Sequence, residues 1–401
     1  MALLVLAGCA IGVCVSLIAS ERADAARTPH LARAQLAYLG DGLEPRADAM
    51  QRLFPEGRVF MLALYGAAWV NVGRHAEDTA EHARAQSECR RSLALLEAPA
   101  SQRGFGPAGG LPNGMFYEAW THWVRAGCVS LTPEPDRRSA LFGDLERSCE
   151  RLAGSVREHG PFVESYEGQA WPADSVVGVA GLGLCAEWLG AGYRAAATDW
   201  VQAVRPLLDP RTGLLPHSAR LSGARGSSSA LINAFLPDVD RGFAREQYLL
   251  YRRHFSGRLL GVLPSVTEYP DGQAGSADVD SGPLLFGVSG PATVVGIAAA
   301  RENGDAGEAL ALRSAAEAIG LGFETGGRRR YGFGILPIGE AFLAWASVAE
   351  PWAGEPPAAL GIATEGFRGR FRALCLGLLC LIVLCAAWLV GLRLSIRARK
   401  G

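Results

Sequence analysis

Hydrophobic and polar positions along the chain alternate between two kinds of helical segment. Six Gly/Ala-rich, weakly amphipathic stretches recur about every 55 residues, and charged stretches with Leu, Val or Phe at i, i+3, i+4 and i+7 lie between them. A helix that is apolar on all sides must be buried, whereas a helix with one apolar stripe covers a core from outside. The pattern therefore predicts six buried helices surrounded by six covering helices. The buried helices are expected to begin near Val59, Asn113, Pro172, Ser227, Pro283 and Pro337.

Six such pairs predict an all-α fold, an (α/α)6 toroid in which helical hairpins form a closed ring over residues 26–352. An open array is disfavoured, because the period exceeds that of most solenoid repeats and the copies diverge in sequence. Strand signals are nearly absent, since alternating β-branched runs are few and no Asn-Gly hairpin lies between them.

The C-terminal part of the chain carries an apolar run. Ala373 to Leu392 is a stretch of twenty residues without a charge, which is long enough to cross a bilayer as a helix. We therefore predict a linker at residues 353–372, a transmembrane helix at 373–392 in contact with membrane lipid, and a basic tail at 393–401. The tail has no acidic residue, which favours a cytoplasmic position for it.

The N-terminal residues 1–25 contain a second apolar run, Ala2 to Ser20, which admits three interpretations. It can be a signal peptide cut after the small-x-small sequence Ala23-Asp24-Ala25, or an uncleaved membrane anchor. Leu6-Ala7-Gly8-Cys9 also imitates a lipobox. The signal and anchor interpretations both predict a membrane protein whose toroid lies outside the cytoplasm.

Charge is distributed unevenly along the chain. The net charge is −1, but residues 367–401 hold seven basic side chains and no acidic one, which leaves 32 basic against 40 acidic residues before them. A body with a net charge of −8 argues against a nucleic-acid partner.

Four of the nine cysteines lie in the predicted toroid: Cys89, Cys128, Cys149 and Cys185. They show no C-x-x-C or Cys/His ligand spacing, so we expect no zinc site. Buried free thiols are the simpler expectation for cysteines inside helices. Export would also permit a disulfide, for instance between Cys128 and Cys185.

The connections that lead into the apolar helices are long, whereas those that lead out of them are short. Long irregular loops in a compact domain are usually functional. In a toroid these loops would gather at one mouth, where the N-termini of the six inner helices favour anionic or polyhydroxyl ligands. The mouth is therefore the expected site.

The loop between residues 266 and 283 leads into a buried helix and carries the most candidate catalytic and binding residues. Glu268, Tyr269, Asp278 and Asp280 lie in it, although Asp280 can also be explained as a helix cap. His217 and Arg225 precede the fourth apolar helix, and Arg330 and Tyr331 precede the sixth. We expect these side chains to contribute to substrate binding, with Asp280 as a catalytic acid or base and Glu268 as its substitute.

The stretch 159–174 is the second segment that carries candidate site residues into the start of a buried helix. Tyr166, Glu167 and Trp171 lead into a helix that has Asp174 in its first turn. Aromatic faces beside carboxylates suit a sugar ring, because the rings stack on it while an acid and a base act on the glycosidic bond. The structural alternatives are that Trp171 packs in the core and that Asp174 complements the helix dipole.

Glu118 is the fourth catalytic candidate, because it lies inside an apolar helix. A buried acid is costly unless it is paired or functional. Pairing with Arg125 or with an Arg from a loop is the structural alternative.

The helix alternation, the long loops at one end and the turn Asp209–Leu215 together resemble the six-hairpin glycosidase-like superfamily of (α/α)6 barrels. That turn reads DPRTGLL and is similar to the D-x-x-T-G-L-x turn between hairpins of those proteins. The resemblance covers about residues 30–350 and extends to membrane-associated members such as linalool dehydratase/isomerase. It implies the toroid fold, and it carries over no catalytic residue because members include hydrolases, lyases and epimerases.

The leading functional hypothesis is a membrane-anchored, exported toroid that acts on a carbohydrate or cell-envelope glycan, as a hydrolase or lyase. Asp174 and Asp280 are expected to be its acid and base. One alternative is a non-catalytic glycan- or protein-binding toroid that serves a membrane enzyme, and another is a dehydratase or isomerase of a small terpenoid or lipid. No Walker, Rossmann, H-E-x-x-H or G-x-S-x-G motif occurs, so we expect no cofactor and no metal.

Overall fold

A computed structural model describes residues 27–132, 139–220, 223–354 and 357–362, with scattered positions between 369 and 388. The described chain is mostly helical, as expected, with 14 α-helices and six short strands. The helices are α1 Thr28–Gly40, α2 Leu43–Gln51, α3 Gly57–Arg74, α4 Thr79–Glu97, α5 Pro99–Gln102, α6 Gly114–Ser130, α7 Ala140–His159, α8 Pro172–Leu189, α9 Gly192–Val204, α10 Gly226–Val239, α11 Arg241–Phe255, α12 Gly290–Glu302, α13 Ala306–Ile319 and α14 Pro337–Val348. The strands are β1 Ser256–Leu259, β2 Leu263–Thr267, β3 Leu284–Leu285, β4 Val288–Ser289, β5 Phe323–Thr325 and β6 Arg328–Arg330.

Six helices, which we call the inner helices, pack against one another in a closed order. They are α3, α6, α8, α10, α12 and α14, and each contacts the next along the chain while α14 contacts α3. The other long helices cover them: α4, α9, α11 and α13 each pack on the inner helix that precedes them, and α7 packs between α6 and α8. The first helix, α1, packs against the last, α14. In this contact Gln35 Nε2 donates a 2.7 Å hydrogen bond to Glu340 Oε2.

The inner helices are buried on all sides because small residues let their neighbours come close. In α8 every residue from Pro172 to Cys185 is buried. A Cβ at Gly183 would overlap the backbone oxygen of Asp238 in α10, and one at Gly181 would overlap the His122 ring in α6. Glycines that are expensive in an exposed helix are therefore required here for packing.

The covering helices bury one stripe each. In α7 the buried apolar side chains Phe142, Leu145, Cys149 and Leu152 follow a spacing of three to four residues. The Ser139 side chain caps this helix by accepting a 3.2 Å hydrogen bond from Phe142 N. A cap and a single apolar stripe are typical of a helix that lies on the outside of a core.

The structure differs from expectation at the fifth inner helix, which begins at Gly290 and not near Pro283. The intervening residues form β3 and β4, whose two-residue turn places Phe286 and Gly287 at positive φ, 51° and 78°. With β1 and β2 these strands form an antiparallel sheet of order β1-β2-β4-β3. Strands of two to five residues are too short to show alternation, which explains why the pattern did not predict them.

The second, two-stranded sheet precedes the sixth inner helix. Strands β5 and β6 are joined by Gly326 and Gly327, both at positive φ, 59° and 70°. This backbone is typical of a tight hairpin turn, in which glycine is unstrained. The long loops before the last two inner helices are therefore partly ordered as hairpins.

Two disulfides join covering helices to inner helices. Cys89 of α4 pairs with Cys128 of α6, and Cys149 of α7 pairs with Cys185 of α8. The Cα–Cα separations of 5.8 and 6.7 Å lie within the range that a disulfide spans. The expectation of free thiols was wrong, and so was the pairing of Cys128 with Cys185, because each covering helix places a cysteine against its inner neighbour.

The predicted membrane segments lie largely outside the described residues. Residues 1–26 and 391–401 are outside them, and the segment 373–392 is described only at scattered positions. Where the chain is described, none of its helices combines the length and the apolar character that crossing a membrane requires.

Candidate functional site

The first turn of α8 holds a carboxyl group in a buried position. Asp174 lies in the first turn of this helix, is 8% exposed, and accepts a 2.5 Å hydrogen bond from Ser165 Oγ. Burial raises its pKa to about 7; the Ser165 hydrogen bond opposes this rise, and the neighbouring carboxylates Asp280 and Glu56 add to it. The pKa of the Asp174 carboxyl group therefore lies close to neutral pH.

Asp280 reaches the same place from the loop before α12. The residue is exposed, yet the protein around its carboxyl group excludes enough water to raise its pKa to about 6. Asp278 and Glu56 raise this pKa further, and Arg225 lowers it. Asp280 does not cap a helix, because Ser289 is the cap of α12 and accepts a 3.1 Å hydrogen bond from Ala292 N. The capping interpretation of Asp280 was therefore wrong.

A third acid, Glu56, belongs to the group and was not predicted. It immediately precedes α3 and accepts a hydrogen bond from Tyr166 Oη. Its carboxylate contributes to the raised pKa of both Asp174 and Asp280. The only signal in the sequence is its position directly before an apolar helix, in Pro55-Glu56-Gly57. The segments that lead into α3, α8 and α12 thus each contribute one carboxyl group to the same region. We call these three residues the acid cluster: Glu56, Asp174 and Asp280.

Glu268 is fully buried and already has partners. It accepts hydrogen bonds from Ser227 Oγ at 2.8 Å and from Ser227 N at 3.1 Å, and it forms an ion pair of 2.7 Å with Arg225 Nε. Burial raises its pKa, and Ser227 and Arg225 oppose the rise. Because its carboxylate satisfies an N–H group at the start of α10, Glu268 supports the backbone of the site.

Arg225 links the two loops that surround the acid cluster. Besides Glu268 it pairs with Asp278, and its guanidinium lies 5.1 Å from the centre of the Tyr269 ring. Tyr269 Oη donates a 2.7 Å hydrogen bond to Ser276 O, which holds its own loop together. The predicted residues Arg225, Tyr269 and Asp278 are therefore brought together.

His217 lies beside the aspartates of this loop. One of its ring nitrogens and one carboxylate oxygen each from Asp278 and Asp280 all lie within 4.8 Å of one another. Burial lowers the pKa of His217 to about 4; Arg225 lowers it further and Asp278 opposes the change. His217 is consequently neutral at pH 7.

Aromatic rings border the acid cluster on the α8 side. Tyr166 and Trp171 are half-buried, and their rings meet edge to face with centroids 5.9 Å apart. Tyr166 also stacks on Phe105 at 6.0 Å. Glu167 is exposed in the turn between Tyr166 and Gln169. The predicted Tyr166 and Trp171 thus lie next to Asp174, whereas Glu167 points to solvent.

Glu118 has a structural environment of its own. Asn113 Nδ2 donates a 3.2 Å hydrogen bond to its carboxylate, and Arg151 of α7 lies 3.5 Å away. The expected partner Arg125 instead pairs with Glu97 at 2.8 Å. Pairing explains the buried acid, but the partner in the sequence-based interpretation was wrong because α7, and not α6 itself, supplies the cation.

Arg330 and Tyr331 belong to a separate group near α13. Tyr331 Oη donates to Glu317 and accepts 2.8 Å hydrogen bonds from Arg313 and Arg329. The Arg330 guanidinium lies 4.6 Å from the centre of the Phe323 ring. In the part of the chain that the structure describes, neither residue contacts the acid cluster.

No family model and no curated protein matches this chain. The assignment of the site therefore rests on its geometry.

A cavity of about 600 Å³ lies at the other end of the inner helices. It is lined by residues at the C-terminal ends of α3, α6 and α12 and after α14, among them Arg74, Leu131, Arg301 and Glu350. Glu350 pairs there with Arg74 at 3.2 Å and with His75. The Arg301 guanidinium donates a 3.0 Å hydrogen bond to Ala349 O. The cavity is lined by none of the predicted site residues.

Proposed function

We propose that the protein is an exported, membrane-anchored (α/α)6 toroid that acts on a carbohydrate or cell-envelope glycan by carboxylate acid/base chemistry. The observation that carries the proposal is the pair Asp174 and Asp280, a carboxyl group in the first turn of α8 and one in the loop before α12. The Asp280 carboxylate helps to raise the pKa of Asp174, and burial raises the pKa of both groups above the ordinary aspartate value. Support for the toroid comes from the closed order of the inner helices.

The two carboxyls are suited to different roles. Asp174 is buried, which favours its protonated form, and we assign it as the general acid; Asp280 is exposed on its loop, and we assign it as the base. Tyr166 and Trp171 beside them offer aromatic faces to a sugar ring. A hydrolase uses this pair to protonate a leaving oxygen and activate water, and a lyase uses it to remove a proton and release the same oxygen.

The export part of the proposal is supported by the disulfides. Cys89–Cys128 and Cys149–Cys185 lie inside the helical body. Structural disulfides persist in oxidising compartments and are rare in the cytosol. This agrees with an apolar N-terminal run that starts export and a second run, at 373–392, that holds the protein in the membrane.

A glycan screen followed by mutation tests the catalytic proposal. The full chain in detergent is incubated with cell-envelope polysaccharides and plant and microbial glycans, and products are detected by mass spectrometry. We expect Asp174→Asn and Asp280→Asn each to lower turnover about 10²- to 10⁴-fold, because each removes one proton-transfer group.

Asp271→Asn is the matched control. Asp271 lies in the same long loop but pairs with His254 at 2.9 Å, away from the acid cluster. Its variant is expected to turn over substrate like the wild type. Full turnover by both Asp174→Asn and Asp280→Asn would refute the assignment. Binding of a glycan without product after long incubation would instead indicate a glycan-binding toroid.

A further inference from the structure

His217, Asp278 and Asp280 form a group with the chemistry of metal ligands. The histidine comes from the loop before α10, and both aspartates come from the loop before α12. Their candidate ligand atoms all lie within 4.8 Å of one another. An ion with bonds of about 2.1 Å holds its ligands roughly 3 to 4 Å apart, so small side-chain adjustments bring all three onto one ion.

The histidine is oriented for this task. Ser228 Oγ lies 3.1 Å from His217 Nδ1 and donates its own hydrogen to Arg225 O at 3.3 Å. The Ser228 oxygen therefore accepts from Nδ1–H, which leaves the lone pair of Nε2 free. A hydrogen bond at one imidazole nitrogen that fixes the other for the metal is the usual arrangement around metal-binding histidines.

The aspartates retain free lone pairs. Asp278 Oδ1 accepts a 2.9 Å hydrogen bond from Ser281 N, and its other oxygen pairs with Arg225. Each carboxylate oxygen has a second lone pair, so these contacts leave room for an ion. Within the described residues, the Asp280 carboxylate has no hydrogen bond and no ion pair.

The local charge also favours a cation. Glu268 and Asp278 both pair with the Arg225 guanidinium, while Asp280 also lies near the carboxylates of Asp278 and Glu56. Arg225 is shared between Glu268 and Asp278 and does not pair with Asp280. A divalent ion beside Asp280 would compensate the remaining negative charge.

We propose that His217, Asp278 and Asp280 bind one divalent transition-metal ion such as Mn²⁺ at the mouth of the protein. The mixed nitrogen and oxygen ligands favour this class of ion over Ca²⁺ and Mg²⁺, which take oxygen ligands. The ion would lie beside Asp174 and would bind a water molecule or a hydroxyl or carboxylate group of a substrate. For glycan chemistry the metal site rests on the proposed function and changes one role in it: with the ion bound, Asp280 would be a metal ligand, and a metal-bound water would replace its carboxylate as the base.

Metal titration tests the proposal without any substrate. The full chain in detergent is stripped with EDTA and titrated with Mn²⁺ at pH 7.5, and free Mn²⁺ is followed by electron paramagnetic resonance. We expect one saturable Mn²⁺ per chain, and at least about tenfold weaker binding in His217→Gln and in Asp278→Asn. An excess of Ca²⁺ is expected to displace Mn²⁺ poorly.

Two controls keep the test decisive. Asp271→Asn removes a carboxylate from the same loop outside the group and is expected to bind Mn²⁺ like the wild type. Circular dichroism and thermal unfolding show whether His217→Gln and Asp278→Asn retain the fold. Absence of saturable Mn²⁺ binding by the wild type up to millimolar concentration, or equal binding by folded variants, would overturn the metal site. Neither result would affect the Asp174→Asn turnover test, so the two proposals fail independently.

Discussion

Individual carboxyl groups in this protein differ in how readily they ionise, because their surroundings differ. Glu268 and Asp174 are both buried, but Glu268 is held by Arg225 and Ser227 whereas Asp174 has one serine hydroxyl and two acidic neighbours. The partners of Glu268 favour its charged form, whereas the surroundings of Asp174 favour its protonated form. Asp238 in α10 is a third case, because it is buried and accepts 2.8 Å hydrogen bonds from Trp352 N and Ala353 N.

Asp238 makes the stability of the fold depend on pH. Burial raises its pKa to about 7; the two backbone N–H groups and Arg74 oppose the rise and Glu187 adds to it. The unfolded chain has an ordinary aspartate pKa of about 3.9, so between about pH 4 and pH 7 the native state holds a proton that the unfolded state has lost. The free energy of unfolding therefore falls as pH rises through this window.

Asp238→Asn is expected to remove this dependence, because the amide oxygen still accepts both N–H groups but does not titrate. Between pH 5 and pH 8 the wild type should lose on the order of 2 kcal/mol more than the variant. Urea unfolding of both full chains in detergent, followed by tryptophan fluorescence at the two pH values, measures the difference. Parallel pH dependences would show that Asp238 is ionised in the native protein.

At the scale of elements, the packing of inner helices depends on glycines at close approaches. Gly183 lies where α8 meets the backbone of Asp238 in α10, and backbone atoms cannot move aside as a flexible side chain can. Gly192, at the start of α9, has no neighbouring atom where its Cβ would lie. Neither glycine has a positive φ, so the two substitutions differ mainly in the space around the new Cβ, in inner helix α8 and at the start of covering helix α9.

Gly183→Ala is expected to destabilise the fold by about 1–3 kcal/mol through overpacking. Gly192→Ala is expected to be neutral or stabilising by up to about 1 kcal/mol, because alanine restricts the unfolded chain. Urea unfolding of the wild type and both variants compares them. Equal stabilities of the two variants would contradict the close approach of α8 and α10.

Much of the helix layout could be predicted from sequence, and the reasons are local. Proline begins α8 and α14 at the predicted residues, Pro172 and Pro337, because a proline at the first position fits a helix start. The start of α12 was misplaced because a hairpin of two-residue strands precedes it. Glu56 and the disulfide partners were missed, since their neighbours are set by the packing of helices distant in sequence.

At the scale of the whole molecule, the exported body and the cytoplasmic tail remain a prediction from the two apolar runs. Alkaline phosphatase folds into an active enzyme only where disulfides form, so it reports the side of the membrane. Joined after Pro356 it is expected to be active, and joined after Gly401 it is expected to be inactive. The opposite pattern would place the body in the cytoplasm and remove the basis for a cell-envelope substrate.

The contact between α1 and α14 determines when, during synthesis, the fold can be completed. Gln35 and Glu340, which join these helices, are 305 residues apart, so the seam cannot close until nearly all of the body has emerged from the ribosome or the export channel. Contacts this distant slow folding. Until then the inner faces of the early helices lack their late partners; the Trp123 ring of α6, for example, stacks on Trp352 with centroids 4.3 Å apart. We therefore expect the nascent chain to depend on chaperones until α14 has emerged and packs against α1.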